Sequence, residues 1–272
     1  MHVFLSPHLD DVVLSCGATI AHLKQQGETV VLLTAMAGEP PDDVPETPLL
    51  RALRERFEGV KKALVTRRQE DVNAAMCLGV KVYHLAVLPS TFRCAPTMDG
   101  PFPLYPDESS QYGDIHPADD ARVSLLAMPL PFHDNVTCIY APLGVGHHVD
   151  HQLVRDWGLV LGGAHGAPPL KFYAEYPYAM TLAATEKALA YYEQNIPSLR
   201  LRAEIFPMTD ELIILKQAAL HCYSSKVNTA WETMVDIERI VQDWTAAAKH
   251  GQAPERLWLA IKGTGMLTTP FL

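Results

Sequence analysis

A chain of 272 residues that is 48% hydrophobic and 19% charged can bury a sizeable core and reads as one ordinary globular domain. Its formal charge of −9 argues against nucleic acid or an anionic membrane as partner, and no apolar run approaches the roughly 18 residues of a membrane span. No basic, apolar, cleavable leader opens the chain, and the five cysteines (Cys16, Cys77, Cys94, Cys138, Cys222) are odd in number, scattered and never in Cys-x-x-Cys. Both features point to a reduced, cytoplasmic protein.

The first apolar run, residues 3–5, predicts a buried strand that breaks at Ser6-Pro7, because proline cannot donate to a sheet ladder. His8, Asp10 and Asp11 follow before any helix can begin. Val13, Cys16, Ile20 and Leu23 fall three and four apart, an amphipathic helix ending at Gly27. Residues 29–34 are continuously β-branched and apolar, as in a strand covered on both faces. Strand, helix and strand in so short a span make a βαβ unit, so a mostly parallel sheet in a Rossmann-like, three-layer α/β fold is predicted. A proline-rich loop over 38–48 leaves the same sheet edge as the His8 loop. Residues 49–78 are rich in helix formers, and 80–85 read as a third strand.

From Pro89 to Pro117 the pattern turns irregular, with Pro96, Pro101, Pro103 and Pro106 and a polar Asp107-Glu108-Ser109-Ser110 run. Such a loop is usually functional or mobile, and an insert on the substrate side over about 88–117 is predicted. Residues 137–141 read as a strand, 153–161 as an amphipathic helix and 171–175 as a further strand. The C-terminal third reads as mainly helical, roughly 183–193, 209–222 and 229–248. No repeat or linker divides the chain.

Two clusters carry the chemistry. His8, Asp10 and Asp11 offer one imidazole and two carboxylates at a strand end, which suits a divalent metal with one carboxylate left for proton transfer. A plainer reading makes Asp10 and Asp11 caps of the following helix. The second cluster is Gly146-His147-His148-Val149-Asp150-His151, again strand, glycine loop and helix start. His148 and His151 share one helical face, and His147 with His151 does nearly as well by spacing. Two such clusters at strand ends fall where open α/β sheets build their sites.

Pro7-His8-Leu9-Asp10-Asp11 together with His148-Val149-Asp150-His151 resembles the PIG-L/LmbE-like family of metal-dependent N-acetylglucosaminyl deacetylases. Arg67-Arg68-Gln69-Glu70, Ala74 and Leu78-Gly79-Val80 are similar to its Arg-x-x-Glu segment, and Phe172 to Tyr178 to its late Tyr-Pro-Tyr stretch. The resemblance implies His8, Asp11 and His151 as ligands of Zn²⁺ or another divalent transition metal, with a position left open for water. It implies Asp10 as general base, His148 as oxyanion stabiliser or proton donor, and Asp150 as the group that fixes the His148 tautomer. Arg67, Glu175 and Tyr178 would meet an N-acetylated sugar. Val149 stands where the family usually has proline, and Tyr223-Ser224-Ser225-Lys226 departs from its Tyr-x-Ser-Gln. Relatives often assemble, so a homo-oligomer is possible.

Residue by residue, plainer readings stand beside these. Arg67 could pair with Glu70 on a helix surface, and Glu175 and Tyr178 could simply end a strand. His84, His116, His133, His165 and His221 have no motif partner and read as structural. The expected function is removal of an N-acetyl group from an N-acetylglucosamine-containing small molecule. One rival is a metal amidase on a non-sugar amide. Another is a nucleotide-binding module without hydrolysis, which would need a glycine-rich turn where this chain has two carboxylates.

Overall fold

The computed structural model describes residues 1–57, 59–132, 135–204, 206, 208–226 and 255–262. The chain opens with β1 (His2–Ser6), α1 (Asp11–Gln25) and β2 (Val30–Thr34). The predicted long helix is two, α2 (Pro48–Phe57) and α3 (Val60–Cys77), separated at Gly59, whose φ of 130° lies outside helical space. β3 (Lys81–His84) follows, then a short hairpin of β4 (Cys94–Thr97) and β5 (Gly100–Pro103), then α4 (Glu108–Gln111) and α5 (Ala121–Leu126). β6 (Cys138–Pro142), α6 (Val149–Gly163) and β7 (Leu170–Tyr173) complete the parallel part. α7 (Leu182–Asn195), β8 (Leu199–Glu204), α8 (Asp210–Leu220) and β9 (Leu257–Lys262) come last.

The seven-stranded sheet runs β3-β2-β1-β6-β7-β9-β8, with β1, β2, β3, β6 and β7 parallel. β9 joins β7 antiparallel and β8 joins β9 antiparallel. Alternation sorts β1 between two cores. Val3 and Leu5 pack with Leu153, Trp157 and Tyr192 of α6 and α7. Phe4 packs with Val13 of α1, Ala74 of α3 and Leu212 of α8. β1, β2 and β6 are buried along their whole length, the reason they read as unbroken apolar runs. β1 sits between β2 and β6, where strand order reverses, so the loops after β1 and β6 open side by side.

Two expectations need correcting. The C-terminal third is not only helical: β8 and β9 extend the sheet, and the predicted 229–248 helix lies outside the described residues. Nor is the 88–117 insert a loose loop. Phe92, Arg93, Leu104, Tyr105 and Gln111 are buried in it, and its backbone forms the hairpin and a short helix. Its prolines fit because the hairpin is a small two-stranded sheet of its own, all edge and no centre.

Candidate metal centre

After β1 the chain turns through Ser6, whose Oγ donates to the His8 carbonyl (2.7 Å) and accepts from Val12 N–H (3.1 Å). This turn holds Asp10 at φ 131°, a backbone state disfavoured for any residue with a Cβ. Asp10 occupies the N-cap position of α1, yet its side chain makes no capping hydrogen bond. Asp11 Oδ2 lies 3.0 Å from His8 Nδ1 and 3.3 Å from His151 Nε2. Donor atoms of His8, Asp11 and His151 all fall within 4.8 Å of one another.

The far nitrogen of each imidazole meets a buried carboxylate. His8 Nε2 is 2.7 Å from Asp150 Oδ2, and His151 Nδ1 is 3.3 Å from Glu175 Oε1. With an ion bound, those outer contacts would take the N–H of each ring and leave His8 Nδ1 and His151 Nε2 to offer lone pairs beside Asp11. Two imidazoles, one carboxylate and supporting carboxylates suit Zn²⁺ well, and the residues present fit such an ion.

Among themselves the imidazoles and carboxylates behave as opposite charges in contact. Burial pushes the Asp11 carboxyl up, but the His151 and His8 imidazoles outweigh it and hold it well below the usual range. Burial likewise opposes protonation of His151, yet Asp11 and Glu175 push it up to about 10. Burial draws His148 down to about 3, against the pull of Asp150.

The structure separates His147 from His148. The His148 ring is T-shaped to His8 at 5.0 Å and to His151 at 5.3 Å between centroids. His147 turns outward to Asp114 at 3.3 Å. Asp150 N–H donates to His148 Nδ1 (3.2 Å), so the backbone of Asp150, not its carboxylate, sets that tautomer and leaves the ring proton on Nε2. The Asp150 carboxylate instead takes His8, the Ser90 N–H (3.0 Å) and Arg93 Nη1 (2.6 Å). Burial raises its pKa, and Arg93 and His8 more than reverse this.

Glu175 is not among the residues that line the cavity. It is wholly buried beneath the centre and accepts from Leu143, Gly144 and Val145 N–H at 3.1, 2.8 and 3.1 Å. Tyr178 and Arg67 do line the cavity, which has a volume of about 450 Å³ and also carries His8, Asp10, Asp11 and His148. Gly146, at φ 84°, passes under Tyr178; a Cβ there would lie 2.5 Å from its ring. The carboxylate of Glu70 is taken by Ser224 and Ser225, not by Arg67, and this brings Ser225 to the cavity wall. His84 bonds Asp71 at 2.9 Å, a structural role as expected, while His133 lies outside the described residues.

Several site residues escaped the sequence reading. Tyr112 stacks edge-on to His148 at 5.2 Å between centroids and its hydroxyl lies 3.1 Å from that of Tyr178. Ser90, Arg93 and Gln111 come from the same insert. The capping box at Asp107–Ser110 was the one local signal that this stretch was ordered.

Fold and site together define an α/β protein with a His/Asp cluster that could hold a metal ion at the switch point of a mostly parallel sheet. The chain belongs to the PIG-L family, described as GlcNAc-PI de-N-acetylase, whose model matches residues 3–160. It is 31% identical over 191 residues to a 2'-N-acetylparomamine deacetylase of Niallia circulans, covering 65% of this chain and 66% of that one. It is 30% identical over 182 residues to a 2'-N-acetylparomamine deacetylase of Streptomyces fradiae, covering 65% of this chain and 57% of that one. The match thus spans just under two thirds of these curated relatives at most. The zinc-inhibited form of teicoplanin deacetylase Orf2 shares the fold, with a TM-score of 0.73 over 97% of this chain and 98% of that one at 23% identity.

Proposed function

We propose that this chain is a zinc-dependent N-deacetylase that hydrolyses the acetamido group of an N-acetylated aminosugar in a small molecule. The observation that carries the reading is the convergence of His8, Asp11 and His151 in one cavity with Asp10 and His148. Family membership and two deacetylase relatives support it. An ion held by this donor set supplies Lewis acidity and lowers the pKa of water.

The chain's own groups account for the proton movements. Asp10 accepts a proton from the attacking water at its carboxylate and returns it to the amine nitrogen as the C–N bond breaks, giving acetate and a free amine. His148 donates a hydrogen bond from Nε2–H to the carbonyl oxygen as negative charge builds there. Arg67 and Tyr178 meet the sugar from the cavity wall. Among the described residues no helix is long and apolar enough to cross a membrane, and the free cysteines suit a reducing cytoplasm.

The test combines metal analysis, acetate release and one substitution. Purified protein should carry stoichiometric metal and release acetate from N-acetylglucosamine glycosides faster than from simple acyl amides. The opposite preference would make it an amidase of another class. Asp10→Asn should keep the metal and lower kcat by about 10²–10⁴-fold. Loss of metal from that variant would make Asp10 a ligand, and near-normal turnover would remove it from the proton path.

A further inference from the structure

The cavity has two unlike ends. Around the His/Asp centre it is polar, with Gln111, Tyr112 and Tyr178 beside the catalytic groups. Its apolar lining includes Leu49 and Leu53 of α2, Val60 and Leu64 of α3, and Met36 and Phe92. α2 explains how this wall arises. Leu50 turns into the protein and is buried, while Leu49 and Leu53, four apart on a neighbouring strip, are left half-buried on the cavity side. A continuous apolar wall facing an open cavity normally has an apolar occupant.

Charge on the lining narrows what that occupant is. The described lining residues include three carboxylates, Asp10, Asp11 and Glu108. The first two belong to the centre, which leaves Glu108 and the cation Arg67 as the other formally charged side chains of the lining. No acidic pad is left for a polycationic group. A neighbouring hollow of about 430 Å³ shares Val60 and Phe92 with the cavity and continues the apolar lining through Pro40, Val44 and Leu50. Its charged lining is Asp42, Arg54, Lys61 and Lys62, with Lys61 and Asp42 paired at 2.8 Å, so no acidic pad lies there either. About 450 Å³ is also in the range that encloses a drug-sized ligand, which leaves room beside one sugar ring.

We propose that the substrate carries an uncharged apolar aglycone, alkyl or aryl, which lies against the α2–α3 wall while the acetamido group reaches the centre. This rests on the deacetylase reading and names the substrate class of the same cavity. Methyl, butyl, hexyl and phenyl glycosides of N-acetylglucosamine, with an N-acetylated aminoglycoside beside them, provide the test. In parallel, calorimetry of the deacetylated methyl and hexyl glucosaminides reads binding without any turnover.

Hexyl should exceed methyl by at least about tenfold in kcat/KM and in product affinity, since each buried methylene contributes to transfer from water. Leu53→Gln, which makes the wall polar, and Ala52→Trp, which fills the hollow from an exposed helix position, should each pull the hexyl-to-methyl ratio toward one. Melting curves of both variants check that the fold is kept. Equal rates and affinities along the series, or a preference for the aminoglycoside, would overturn the proposal. Tight hexyl glucosaminide binding with no acetate released from any glycoside would uphold the wall and sink the deacetylase reading instead.

Discussion

Glu175 joins two parts of the centre through one carboxylate. It gathers three consecutive backbone N–H groups of the loop after β6 and faces the outer nitrogen of His151. Loop shape and ligand tautomer therefore depend on the same side chain. Glu175→Gln keeps the size but loses the charge and turns an NH₂ toward donors. Metal affinity should fall by about 10–100-fold, the usual cost of losing a carboxylate behind a metal-bound histidine. At saturating metal, KM for the sugar should change little. A raised KM with unchanged metal affinity would return Glu175 to the substrate, where its position beside Tyr178 in the sequence suggested it belonged. The sequence could not show these partners, for a physical reason. A strand-end Glu reads the same whether its side chain points into the cavity or down into the loop, and only the partner strand β6 decides between them. His8, Asp11 and His151 were legible because each lies in a strand–loop–helix junction, His8 in the loop after β1 and Asp11 and His151 in the first turn of α1 and α6, where the local sequence carries the motif.

The insert between β3 and β6 shows the limit of local reading at the scale of an element. Its prolines and polar run read as a mobile loop, but its order comes from distant partners. Arg93 Nε pairs with Asp119 at 2.9 Å, Tyr105 donates to the same carboxylate at 2.8 Å, and Arg93 also reaches Asp150 behind His8. No spacing rule connects residues 93, 119 and 150. The same contacts predict a pH response. Burial, with Asp119 adding to it, pushes the Tyr105 hydroxyl up to about 12, above the ordinary tyrosine value of about 10. A group raised on folding stabilises fully below its unfolded pKa and loses that contribution as pH rises through its folded pKa. Hydrogen exchange across residues 89–119 should therefore accelerate beyond its intrinsic rate between about pH 10 and 12. In Tyr105→Phe the insert should already exchange faster at pH 8 and lack this added alkaline step. An unchanged profile in that variant would mean Tyr105 does not hold the insert.

At the scale of the whole molecule, the far end of the chain is tied to the helix that begins at Asp11. Glu255, just before β9, accepts from Ala18 N–H (2.9 Å) and from the N–H and hydroxyl of Thr19 (2.8 and 2.7 Å) in α1. It also takes Lys216 Nζ of α8 at 2.6 Å. Both ends of the pair are buried, and the lysine stem lies so close over Gly17 that a Cβ there would sit 2.8 Å from Lys216 Cγ. Burial lowers the lysine pKa, with Glu255 opposing. The two substitutions should not be equivalent. Lys216→Met removes a charge together with its desolvation cost, while the carboxylate keeps its three contacts to α1. Glu255→Leu takes a carboxylate away from a buried ammonium, from the Thr19 hydroxyl and from two backbone N–H groups of α1, and removing one partner of a buried pair typically costs about 3–5 kcal/mol. For a chain of this size that corresponds to a fall in Tm on the order of 10 °C. Thermal melts of the two variants at matched metal content make the comparison. Glu255→Leu should melt well below Lys216→Met, and it should also bind metal more weakly, because α1 carries Asp11 at its first residue. Equal losses in the two variants would mean that the ion pair itself, and not the hold of Glu255 on α1, fixes the C-terminal strands to the rest of the fold.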